Sequence, residues 1–252
     1  MTTTFSSVTR QGTFEPFGLQ VARGQIQGHT VVQVFGYNPD LDTTEESVWP
    51  DGGTVPHPTT ESALTIVSTD AADAAAGTGA RTVYIEGVDE DYNVVSETVT
   101  LNGTTDVTTT AAFLYVNKFY VVTAGSGGAN AGTITAKVST TLYDIIAIGY
   151  NNRTTAHYCV PAGYTGYMVE GILTTGQASG STSVTAFLKQ HGTDGLVRVG
   201  AVATLNNGSI QYDFDPAYAI PEKNCVGATA IGTAANNSVS AYFNMILIKD
   251  GP

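Results

Sequence analysis

The sequence predicts an all-β protein: two β-sandwich, jelly-roll-like modules behind an extended N-terminal arm. Three observations carry that expectation. Threonine is the commonest residue, 38 of 252, and with Val, Ile, Tyr and Phe it favours pleated, half-buried surfaces. Charged residues make up only 13% of the chain, against about 25% in an ordinary soluble domain. The apolar runs are short, recur at about ten-residue spacing, and are separated by Gly, Pro or Asn turns. The units expected are an arm over 1–28, an acidic β-sandwich over 29–143 and a jelly-roll-like sandwich over 144–252.

Taken in order, residues 1–28 show no sustained periodicity, and Pro16 interrupts any helix. An extended arm is costly to order alone, so Phe5, Phe14, Phe17 and Leu19 are expected to seat in grooves of a neighbouring surface. HTVVQVFGY, from His29, alternates as a half-buried strand does. The stretch that follows holds Pro39, Pro50, Pro56 and Pro58 and paired glycines, a long loop of the kind that is functional or wraps something. Trp49, the only tryptophan, lies in it, either as a packing anchor or as an exposed contact.

ESALTIVST, RTVYIEGV, VVSETVTL, AAFLYVNKFYVVTA and GTITAKVST supply the next strands. In RTVYIEGV, Val83 and Ile85 share a face; in VVSETVTL, Val95, Glu97, Val99 and Leu101 do. A glutamate among valines puts this hairpin near a sheet edge. AADAAAGTG is too short to stand as a helix. From residue 144 a second cycle runs through DIIAIGY, HYCVPAGYTGYMVEGILTT, STSVTAFLKQHG, GLVRVGAVATL, GSIQYDFDPAYAIPEKNCVGATAIG and SVSAYFNMILIKD. Its prolines precede turns that feed strands, where the missing N–H costs no ladder bond.

The net charge is −12, and it is unevenly placed. Residues 1–110 hold 15 acids and 3 bases, whereas residues 111–252 hold 7 of each. Ten scattered basic residues make no phosphate-binding patch, so a nucleic-acid partner is not expected. The asymmetry first suggests an acidic surface that keeps an abundant protein soluble; the sharper alternative is an acidic part facing solvent and a neutral part packed against a partner. MTTTFSSVTRQGTFEPF has neither the basic start nor the apolar run of a signal peptide, and no stretch nears 18 consecutive apolar residues, so no membrane association is expected.

Asp89, Asp91 and Asn93 share the opening spacing of a calcium loop, but Val94 and Thr100 stand where that loop needs Gly and Glu. Asp89, Glu90 and Asp91 are therefore read as an outward-facing acidic hairpin tip; a weak cation site shared with Asp40, Asp42, Glu45 or Glu46 is the lesser alternative. GSGGANAG, 125–132, runs into a strand rather than Lys-Ser/Thr and a helix, and is a turn. The histidines His29, His57, His157 and His191 are dispersed. His157 and Cys159 face the same way on one strand, yet two ligands do not make a metal site. Asp213 and Asp215 also share a face, as a glycosidase pair might, but nothing assembles a nucleophile, base and orienter around them. The reading is of no enzyme, no metal and no cofactor. Cys159 and Cys225 fit no disulfide framework or zinc spacing and are expected as buried free thiols, with a bridge between them the lesser alternative. The sequons at Asn102, Asn152, Asn207 and Asn236 mark polar turns.

Several phrases in this order, EPFGLQVARGQIQGHTVVQVFGYNPDLD, GTGARTVYIEGVDEDYNVVSETVTLNG, VNKFYVVTAGSGGANAGTITA, VPAGYTGYMVEG and AIPEKNCVGATAIGTAANNSVSAYFNMILI, resemble virion structural proteins of tailed bacteriophages, particularly short-tailed phages of marine and cyanobacterial hosts. The resemblance runs over nearly the whole chain and implies a non-enzymatic particle component, made in the host cytoplasm and placed on the capsid exterior. It implies a cement or decoration protein bound to the major capsid protein and associated with itself, as a trimer. The alternative is a tail- or head-fibre or adaptor protein that binds host glycans by stacking Trp49, Tyr164 or Tyr167 on sugar faces.

Overall fold

The computed structural model describes residues 15–176 and 182–251. Among these residues one short helix, α1 (Phe17–Ala22), precedes sixteen strands, all paired antiparallel. Among the described residues no helix is long and apolar enough to cross a membrane.

Four small sheets surround two main cores. The first sheet has the order β1 (His29–Leu41), β16 (Asn237–Lys249), β11 (Tyr164–Gly176), β14 (Ser209–Ile220). The second runs β10 (His157–Cys159), β15 (Cys225–Gly232), β12 (Val184–His191), β13 (Val197–Leu205), with β2 (Glu46–Ser47) also on β15. Their inner faces meet in one core containing Val34, Met168, Val184, Val226, Val239 and Phe243. The third sheet is β6 (Val107–Phe113), β3 (Ser62–Ser68), β8 (Ile134–Val138), β9 (Thr141–Ile146); the fourth is β5 (Val94–Thr100), β4 (Ala80–Val88), β7 (Tyr115–Ala124). These two share a second core containing Leu64, Ile66, Ile85, Phe113, Phe119 and Ile134.

The alternation read from the sequence explains these faces. In β4 the buried set includes Val83 and Ile85. β5 is an edge strand, and its Glu97 sits among the inward-leaning residues because its carboxylate accepts the amides of Thr110 and Ala111 on β6, at 2.7 and 2.9 Å. The acid thus ties the edges of two sheets together instead of exposing β6's backbone.

Three expectations change. First, pairing removes β1 from the 29–143 unit: its partner is β16, from His29 opposite Ile248 to Leu41 opposite Asn237. The boundary at 144 also cuts β9, which continues to Ile146. Alternation reveals that a strand has a buried face and is silent about which strand lies beside it. Second, the arm is not wholly extended. Pro16 starts α1 rather than preventing it, with its carbonyl accepting from Leu19 and Gln20 at 3.0 and 3.1 Å. Proline at a helix entry lacks only an N–H that would have no helical acceptor. Third, the cysteines are not free. Cys159 and Cys225 form a disulfide between directly opposed residues of β10 and β15.

The two cores meet along β7 and β10. Asn117 on β7 donates to the carbonyl of Cys159 and accepts its amide, both at 2.8 Å, replacing a strand neighbour for that residue. Arg153 lies in the crossover 147–156, where its Nε pairs with Asp144 Oδ2 at 2.7 Å and both side chains are buried. Its other nitrogens donate to the carbonyls of Val116, Thr155 and His157 at 2.9, 3.2 and 3.2 Å. Asp144 also accepts from Ile145 N and Thr155 Oγ1 at 2.8 and 2.7 Å. Burial pushes the Asp144 carboxyl up, with the Arg153 charge opposing, and pushes Arg153 down, with Asp144 opposing.

Candidate functional site

The densest collection of chemically versatile side chains lies where β10, β15 and β12 run side by side. Register sets its geometry. Cys225 has Cys159 opposite it on one flank and His191 on the other; one rung along the same face, Gly227 has His157 and Lys189. Because Gly227 lacks a side chain, the His157 ring occupies the space above it: an added Cβ would sit 3.3 Å from His157 Cδ2. His157 Nε2 lies 3.9 Å from Cys159 Sγ.

His57 comes from the proline-rich loop. That loop is pinned from within, by Trp49 Nε1 on Gly52 O at 2.7 Å, Ser47 N on Gly53 O at 2.7 Å and Val55 N on Ser47 Oγ at 2.9 Å. So held, it lays the His57 ring on His191, with centroids 3.7 Å apart and planes 15° from parallel, and edge-on to His157 at 5.6 Å. Tyr115 closes the group, its hydroxyl 3.4 Å from His57 Nδ1. Glu45, Ser47, His57, His157, Lys189 and His191 line a cavity beside the cluster, and Lys189 Nζ pairs with Glu45.

All three imidazoles are pushed toward the neutral form, most firmly the buried His157, whereas His57 keeps an exposed side. Burial drives His157 well below the usual histidine range, helped by His57, Arg153 and His191. Burial and then His191 bring His57 down to about 4. Burial and Lys189 lower His191, with Glu45 opposing. Burial also raises the Tyr115 hydroxyl. Near neutral pH the cluster therefore offers imidazole lone pairs without cationic repulsion, beside two sulfur atoms. That is the donor set of a soft-metal site or of a redox pair.

The other singled-out residues are scattered. Phe5 and Phe14 lie outside the described residues. Phe17 and Leu19 are on α1 and about half exposed, at 51% and 49%, with Phe17 edge-on to His29 at 6.0 Å. Glu90 and Asp91 are exposed. Asp89 accepts the amides of Asp91 and Asn93 at 3.0 and 2.8 Å, so it shapes its own turn. The tip is also attached, since Tyr92 O accepts from Ala162 N at 2.9 Å. Trp49 is buried with Val55 and Ile145, leaving no ring face for a sugar, and Tyr164 and Tyr167 are half-buried on β11. Asp213 and Asp215 are exposed on β14. Asn38 Nδ2 donates to Glu46 Oε2 at 2.9 Å, so Glu46 and Glu45 each have partners within the chain.

Sequence reasoning missed His57, His191 and Cys225 as companions of His157 and Cys159. The local signal was the His-x-Cys spacing; the remaining members arrive from two other strands and a loop. The chain is thus an antiparallel all-β protein with a His/Cys cluster at the junction of its two cores, buried at His157, Cys159 and Cys225, half-buried at His191 and exposed at His57. No known protein family matches it, and no curated protein does. Among solved structures it is similar to the infectious bursal disease virus VP2 subviral particle, at 10% identity, TM-score 0.25, over 94% of this chain and 78% of the other. It is also similar to the structure of the Gx strain of that virus, at 12% identity, TM-score 0.24, over 99% and 80%. Similarity at that level carries no argument about what this chain does.

Proposed function

We propose that the protein is a non-enzymatic virion structural protein of a tailed bacteriophage, a capsid cement or decoration subunit built as two β-sandwich modules, the second jelly-roll-like. It associates with itself as a trimer and with the major capsid protein on the capsid exterior. Beside the sequence resemblance, the observation that carries this reading is the outer edge of β13. Among the described residues that strand pairs only with β12, and its Val197, Val199 and Val202, with Leu196 just before, are each more than half exposed. An open strand edge carrying four large apolar side chains is a surface that another chain covers.

Gold-labelled antibody on intact virions, viewed by electron microscopy, tests the placement. Gold scattered over the head supports the capsid role; gold confined to one vertex supports a tail or fibre role, and its absence from the particle refutes both. The fibre reading has one observation of its own, a cleft lined by Phe35, Tyr120, Tyr150 and Tyr242 beside Gln33 and Asn152. Aromatic faces among amides suit sugar rings. A glycan array that stays silent while capsids are bound decides for cement.

A further inference from the structure

We propose that His157, Cys159 and Cys225 form a site for a thiophilic divalent cation, Zn2+ above all, when the disulfide is reduced, with water completing the fourth position from the neighbouring cavity. The ligating atoms of the first three all lie within 4.8 Å of one another in a fully buried pocket. With Zn–S near 2.3 Å and Zn–N near 2.0 to 2.1 Å, a tetrahedral site sets its ligand atoms about 3.6 Å apart. The distance of 3.9 Å from His157 Nε2 to Cys159 Sγ is already close to that. The sulfurs hang from directly opposed positions of β10 and β15, so once the S–S bond is cut, rotation about Cα–Cβ moves them apart without shifting a strand.

Charge and framework agree with this assignment. Two thiolates neutralise a divalent cation, so the loaded centre leaves no net charge in the junction. The backbone that carries the ligands is held from outside the site: Asn117 grips both backbone groups of Cys159, and Arg153 donates to the carbonyl of His157. Such outer support fixes ligand geometry before the metal arrives. The cavity lined by His57 and His191 gives the ion a route to His157.

The disulfide and the metal exclude each other. A dithiol reductant supplies two electrons and two protons, becoming a disulfide as Cys159 and Cys225 become thiols. Metal binding then displaces those two protons as the thiolates form. The inference is independent of the virion role. It is tested on the full chain, reduced anaerobically with dithiothreitol, freed of reductant and titrated with Co2+. Uptake of one Co2+ per chain is expected, with a sulfur-to-cobalt charge-transfer band and the visible bands of a tetrahedral site, both removed by Zn2+; the oxidised protein shows neither. C159S and C225S lose the charge-transfer band, and H157Q weakens binding at least tenfold. Should reduction cost the chain its far-UV signature, Zn2+ restores it. Equal Co2+ uptake by the reduced and oxidised chains, an unchanged band in C225S, or a reduced chain that Zn2+ does not refold would each overturn the proposal.

Discussion

Replacing Arg153 by Met is the perturbation whose size follows most directly from the structure. Its guanidinium neutralises Asp144, which is fully buried, and also donates to three carbonyls at the junction. Removing one partner of a buried ion pair costs about 3 to 5 kcal/mol, and three carbonyls that lose charged donors put the expectation at the upper end, roughly 4 to 5 kcal/mol. With a urea m-value of about 2.5 kcal/mol/M, the unfolding midpoint should fall by roughly 2 M. Trp49 is a convenient reporter because it packs on Ile145, next to Asp144. The loss should also depend on pH. The Asp144 carboxyl is already raised by burial, and without Arg153 it rises further. A carboxyl raised in the folded state supports stability below its unfolded value, near 3.9, and loses that support as pH rises through its folded value. The deficit of R153M is therefore largest at neutral pH and shrinks toward pH 4. Adding D144N removes the stranded charge, so the double variant should be more stable than R153M at neutral pH. A deficit under about 1 kcal/mol, the scale of an exposed pair, would refute this reasoning. So would a deficit that grows as pH falls, or strict additivity in the double variant.

Asp73 is fully buried and accepts from Ser68 Oγ and the amides of Ala80, Ala131 and Gly132, at 2.6, 2.7, 2.8 and 2.9 Å. D73A should cost about 4 kcal/mol, roughly 10 °C in Tm by calorimetry. A Cβ on Gly36 would lie 2.3 Å from Val48 O and 2.4 Å from Ala156 Cβ. G36A should therefore cost about 1 to 3 kcal/mol, seen as a lower urea midpoint, while G18A, with open space around its Cβ, should not lower it. V199K with V202K should shift sedimentation toward a single chain with far-UV dichroism unchanged; an oligomer that persists counts against β13 as the self-association edge.

Much of the strand content was legible because a half-buried strand advertises itself: Val83 and Ile85 fall on the inner face that their spacing indicates. Glu97 was legible as an edge signal, though its service to the β6 backbone was not. What stayed hidden is long-range. Nothing local in HTVVQVFGY says that its partner is SVSAYFNMILIKD, nothing in AADAAAGTG marks Asp73 as a buried acceptor of three amides, and nothing in HYC and NCV says that the two cysteines face each other. The His/Cys cluster illustrates the same limit, since its members are drawn together by register across three strands and by a loop, and register is a property of pairs.

The pairing of β1 with β16 also imposes an order of events on synthesis. The strands of the 62–146 sheets find their partners close by in sequence, so that part can close early. β1 must wait: His29 pairs with Ile248. At roughly 5 to 20 residues per second the ribosome leaves its valine-rich strand unmatched for about 10 to 40 seconds. During that interval the chain holds an unpaired strand beside a finished neighbour, and crowding among nascent copies becomes the hazard that its folding has to outrun.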